Sequence, residues 1–233
     1  MGIGIGYILI FAVFAIFSMI VSSQLKSRFK KYSKIPTNRG YSGKDVAEKL
    51  LRDNGIYDVQ VVPTRGQLSD HYNPATKTVA LSQDVYYGTN VSAAAVAAHE
   101  CGHAVQHANA YAPLKLRSAL VPLQNISATI LNVIFTLMFF GVFMIHGFEA
   151  IALPVIVGAY GIFTLVAFVT LPVEINASQR ALAWLTDSGV TNYSNHSQAK
   201  DALKWAAYTY VVAALSSLAM LVYFLLRMLG NRN

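Results

Sequence analysis

The sequence predicts a mostly α integral membrane protein, with four transmembrane helices and a small α+β part outside the bilayer. Three observations carry this. The 233 residues are 55% hydrophobic and only 12% charged, against about 25% charged in a typical soluble domain, and the mean hydropathy is +0.43. Four stretches, residues 2–22, 118–148, 150–173 and 205–226, contain no Asp, Glu, Lys or Arg. Each reaches the roughly 20 residues that a helix needs to cross the hydrocarbon core. Finally, too little polar chain remains to wrap four such helices as the core of a soluble domain.

In chain order, residues 1–23 form the first span. It is not a secretory signal, because its basic residues follow the apolar run instead of preceding it. Lys26, Arg28, Lys30, Lys31 and Lys34 come directly after the span, which places the following segment in the cytoplasm by the positive-inside rule. Alternation then puts residues 24–117 and 174–204 inside, the His146–Glu149 turn outside, and both termini outside. Of the 18 Lys and Arg, all but Arg227 and Arg232 fall in the two cytoplasmic segments. The net charge of +7 is explained by attraction of the juxtamembrane cluster to anionic headgroups. No base-stacking aromatics interleave with it, so nucleic acid is not the expected partner.

Lys26–Gly43 holds Pro36, Gly40 and Gly43 and reads as a juxtamembrane linker. Ser42 is a candidate N-cap for a helix over Asp45–Asn54, closed by Gly55. Val59–Val62 and Thr78–Leu81 read as strands, the second preceded by the turn signal Asn73-Pro74. Thr89 or Asn90 can cap a helix from Val91 to about Asn109, and its first half is almost all small residues that permit close packing. Residues 118–173 form a transmembrane hairpin, 174–204 a helical cytoplasmic segment, and 205–233 the last span and tail.

The helix from Val91 carries His99-Glu100-Cys101-Gly102-His103, an H-E-x-x-H pattern. Residues four apart on a helix share a face, about 40° apart in projection and about 6 Å along the axis. His99 and His103 can therefore bind one metal ion, and Glu100 sits where it can take a proton from water activated by that ion. Cys101, the sole cysteine, excludes an intramolecular disulfide and fits a reducing compartment. It lies about 200° around the helix from His99 and is expected to pack into the core.

A catalytic zinc takes three protein ligands. The metzincin spacing fails, because Gln106 and Asn109 stand where Gly and His would be needed. His107 lies about 12 Å along the helix from His99, too far to share one ion with both histidines; it fits better as an outer or substrate-side group. Between His103 and the end of the third span the only carboxylates are Glu149 and Glu174. Glu149 falls on the outer side. Glu174 is returned by the hairpin to the side of His99 and His103, either as third ligand or as an interfacial carboxylate ending a span. Asp187 and Asp201 lie farther from the membrane. Asn176 is placed to hydrogen-bond a ligating imidazole, and Arg180 to stabilise an oxyanion or pair with a carboxylate. His71 and His196, each alone in a polar loop, read as solvated.

Ala-Ala-His-Glu-Cys-Gly-His-Ala at 97–104 and Leu-Pro-Val-Glu-Ile-Asn-Ala-Ser at 171–178 resemble the neutral zinc metallopeptidases of bacterial membranes, the YugP-like family, over nearly the whole chain. That family usually has Asp where this chain has Asn176. The arrangement is also distantly similar to the HtpX and Ste24 membrane proteases, whose third zinc ligand is a Glu on a later helix. The resemblance implies a gluzincin-like, zincin-type metallopeptidase domain at the cytoplasmic face of the bacterial cell membrane. It also implies Zn²⁺ as cofactor and peptides or membrane proteins as substrates. Glu174 would complete the ligand set and Glu100 would be the general base. An extended substrate could pair with the Thr78–Leu81 strand if that strand is a sheet edge. Two other classes stay open: a membrane scaffold or regulator with a structural or vestigial metal site, which would need no Glu100, and a transporter, which the absence of ionisable residues in the spans disfavours.

Overall fold

The computed structural model describes residues 4–142 and 147–230. Four long helices carry the charge-free runs: α1 (Ile5–Tyr32), α5 (Ala112–Phe139), α6 (Phe148–Asp187) and α7 (His196–Gly230). All four are long and apolar enough to cross a membrane. The chain divides into two compact units, and each of these four helices begins in one and ends in the other.

The first unit comprises Met1–Ile20, Leu116–Leu171 and Thr209–Asn233. Its core is built from Leu131, Leu153, Ile156 and Phe224, with aromatic rings packed against them. Tyr160 stacks on Phe224 with centroids 5.5 Å apart, and Tyr7 leans on Phe135 at 5.6 Å. Many large apolar side chains point outward, among them Leu9, Phe11, Ile126 and Ile151. In water that surface would drive association; in lipid it is the expected exterior. Glu149, in the first turn of α6, pairs with Arg227 on α7. The expected His146–Glu149 turn falls partly on residues 143–146, outside the described residues.

The second unit comprises Val21–Lys115 and Pro172–Tyr208. The expected linker is in part helix: α1 continues through the basic cluster to Tyr32, because Lys, Arg and Gln are good helix formers. Its end is fixed where the buried Tyr32 hydroxyl donates to Asp201 at 2.6 Å. The short helix α2 (Gly43–Asp53) starts at Ser42 in a reciprocal capping box with Asp45. Three strands follow, β1 (Gln60–Thr64), β2 (His71–Asn73) and β3 (Thr78–Ser82), in the order β1-β3-β2. β1 runs parallel to β3 with Val61 opposite Val79, and β2 runs antiparallel with Tyr72 opposite the same residue. The strand expected at Thr78–Leu81 is thus the central one, flanked on both sides. Past the end of β2, the Asp70 carboxylate accepts the Ser82 N–H at 2.7 Å, so β3 offers no free edge to an extended peptide.

A single turn, α3 (Gln83–Tyr86), leads to α4 (Val91–Ala108), capped by the Asn90 side chain, which accepts from the Ala93 N–H. The small residues of α4 let it sink into the core: Ala93, Ala94, Ala95, Ala97 and Ala98 have no exposed surface. Val46, Leu50 and Leu51 of α2, Val79 and Leu81 of β3, and Leu185 of α6 pack around it.

Candidate metal centre

α4 and α6 meet where neither has a bulky side chain. A Cβ on Gly102 would lie 2.7 Å from the Ala177 carbonyl oxygen, so the backbones touch at this point. The contact brings Glu174 of α6 onto the face of α4 that carries His99 and His103. One potential ligand atom from each of the three lies within 4.8 Å of the others. Glu174 Oε2 is 3.2 Å from His99 Nε2 and 3.5 Å from His103 Nε2. A tetrahedron with zinc–ligand arms of about 2.0–2.1 Å has edges of about 3.3–3.4 Å, so these separations suit one zinc ion.

Protons decide whether the histidines present lone pairs to that point. Arg180 Nε can only donate, and it donates to Asn176 Oδ1 at 2.8 Å. Gln106 is fully buried. Its Nε2 donates to the Val173 carbonyl at 2.8 Å and to Asn176 Oδ1 at 3.0 Å. Its Oε1 must then face His103 Nδ1, 3.0 Å away, and accept that nitrogen's proton. His103 Nε2 is left as the lone-pair nitrogen. Ser178 Oγ lies 3.1 Å from His99 Nδ1 and can hold His99 in the same tautomer. Two imidazole lone pairs and a carboxylate oxygen therefore converge in a site where Glu174 is only 2% exposed. Such acceptors repel one another unless a cation lies between them.

Without a metal, the same surroundings favour a proton on His103. Burial pulls the His103 pKa down, but hydrogen bonding to Glu174, the charges of Glu174 and Glu100, and the bond to Gln106 outweigh it and raise it above the ordinary value. Glu100 follows His99 on α4, partly exposed. Cys101 is fully buried, as expected, with its sulfur 3.7 Å from the Ala47 carbonyl. Burial, then the charge of Glu100, lifts its thiol well above the ordinary value.

The remaining candidates fall elsewhere. Asn176 reaches His103 through Gln106, and Arg180 Nε donates to the same Asn176 oxygen. His107 belongs with β2: its Nδ1 is 2.8 Å from the Tyr72 hydroxyl. His71 contacts the Ser69 carbonyl, and His196 the Thr186 and Thr191 hydroxyls. Asp201 receives the Tyr32 hydroxyl and Arg28. Sequence reasoning missed Gln106 and Ser178. The available signal was spacing, since Gln106 is three residues after His103 and Ser178 four after Glu174, each one helical turn away.

A family described as "Putative neutral zinc metallopeptidase" matches residues 7–229. The chain is also similar to the "Putative membrane protease YugP" of Bacillus subtilis (strain 168). The two are 39% identical over 210 residues, which cover 90% of this chain and 91% of that protein. No solved structure matches the chain.

Proposed function

The chain belongs to the putative neutral zinc metallopeptidase family, and on that premise we propose that it is a membrane-embedded zinc endopeptidase with its site on the cytoplasmic side. The observation that carries the reading is the convergence of His99, His103 and Glu174 beside a carboxylate, Glu100, that is not among the converging groups. His99, His103 and Glu174 would hold Zn²⁺, with Gln106 and Ser178 fixing the two rings. When bound, zinc lowers the pKa of a coordinated water towards about 7 and polarises the scissile carbonyl. Glu100 accepts a proton from the attacking water and delivers it to the departing amine nitrogen.

The substrate strand we assign to the outer edge of β2, not to β3. β2 is an outer strand of the sheet and is tied to the metal-bearing helix through Tyr72 and His107. Strand addition there would align a peptide beside α4. The cytoplasmic orientation is supported by the distribution of Lys and Arg, 16 of 18 on that side.

Replacing Glu100 with Gln tests the assignment. The variant is expected to retain zinc at one ion per chain by elemental analysis and to lose peptide cleavage by about 10²–10⁴-fold. Wild-type cleavage should stop with a chelator and return with zinc. Undiminished turnover by the Gln variant would sink the role given to Glu100, and zinc-free active protein would sink the metal reading.

A further inference from the structure

We propose that the second unit contains a headgroup site for one anionic phospholipid, in a cavity between the basic end of α1 and the loop joining β1 to β2. The cavity is about 580 Å³, and its lining does not include His99, His103 or Glu174. From α1, Lys26, Phe29, Lys30 and Ser33 line it, and the spacing of three and four residues puts them on one helix face. Facing them are Gln67, Leu68 and Asp84.

Charge points to the ligand. Lys26 and Lys30 are like charges at i and i+4, which repel, yet among the described residues neither has an ion-pair partner. Arg28, on the same stretch of helix, is instead neutralised by Asp201 at 3.3 Å. Two ammonium groups without ion pairs among the described residues and the Gln67 amide around one cavity suit a phosphodiester. The lone Asp84 leaves the lining net positive.

The apolar part of the lining selects a lipid over a free phosphate. Phe29 and Leu68 sit beside the lysines, where glycerol and the first methylenes of an acyl chain would lie. Leu68 is 44% exposed and is held at φ +55°, a left-handed conformation that a residue with a Cβ adopts at a cost. Lys26 also follows the charge-free run 2–22 by four residues on one continuous helix, about 6 Å of rise. An ammonium at that height is at headgroup level.

Full-length protein in detergent, titrated with short-chain phosphatidylglycerol and read by native mass spectrometry, tests the site. One lipid should bind per chain, more tightly than phosphatidylcholine. The double variant Lys26→Gln/Lys30→Gln should weaken binding roughly tenfold or more. The control double Lys31→Gln/Lys34→Gln removes equal charge from the same run but outside the cavity, and should shift binding by less than about twofold. Equal loss in both doubles would mean a diffuse field with no site. Equal binding of phosphatidylcholine, or displacement of the lipid by inorganic phosphate alone, would also overturn the proposal.

Discussion

Gly102 and Ala177 are in backbone contact: the position a Cβ would take on Gly102 is 2.7 Å from the Ala177 carbonyl oxygen. A glycine inside a helix costs about 1 kcal/mol relative to alanine, so α4 keeps it for the approach it permits. Gly102→Ala therefore should not stabilise the protein. Despite its gain in helix propensity, it is expected to lose about 1–3 kcal/mol through overpacking. It should also bind less zinc, because the added methyl pushes Glu174 away from His99 and His103. Melting temperature and zinc content read both effects, and an unchanged, fully zinc-loaded variant would contradict the contact.

Gln106→Met fills the same space without the amide. It leaves the Nδ1 proton of His103 without its acceptor and removes the donor shared by the Val173 carbonyl and Asn176 Oδ1. Zinc affinity, measured by competition with a chromophoric chelator, is expected to fall about 10–100-fold, as for other lost outer-shell partners of metal ligands. Asn176→Asp keeps an oxygen for both the Gln106 and Arg180 donors and should leave zinc content unchanged. An unaffected Gln106→Met would refute the relay.

In metal-stripped protein, His103 has a pKa raised above its ordinary value of 6.5. A raised folded-state value adds stability that is fully present below pH 6.5 and is lost as pH climbs through the raised value. With chelator present, the melting temperature should therefore fall as pH rises above about 6.5, and Glu174→Gln should flatten the trend. With zinc the sign reverses, because metal competes with protons for the imidazoles and stabilises more at higher pH. Parallel pH series by differential scanning fluorimetry separate the two, and a metal-free curve that rises with pH would contradict the assignment.

His107 is bonded to Tyr72 of β2 and not to the His–Glu cluster. His107→Gln should keep one zinc per chain and, if β2 receives the substrate strand, raise KM several-fold while leaving kcat nearly unchanged. Loss of zinc in this variant would show that His107 is a ligand.

The long-range organisation was legible in the sequence because it rests on composition. Uninterrupted apolar runs became α1, α5, α6 and α7, and Asn90 and Ser42 cap helices by local chemistry. Scarcity made Glu174 legible, since few carboxylates follow the motif. β2 was not legible: three residues are too few to show alternation, and Asn73 at its end accepts backbone N–H groups like any turn residue. Nor was the unbroken course of α6 through Pro172. Proline reads as a helix stop, yet residue 172 is helical and the helix goes on through Val173, Ala177, Ala181 and Leu185, all without exposed surface. Gln106 and Ser178 are neutral polar residues of common type, so only the fold reveals that each faces an imidazole.

The burial of Cys101 has a consequence for how the protein meets oxidants. Oxidants and alkylating reagents attack thiolates, and this thiol is both sealed off and kept protonated. The three converging metal donors contain no sulfur. A peroxide burst that strips zinc from cysteine-ligated centres would find no thiolate among these donors, so metal held here should outlast metal held by thiolates.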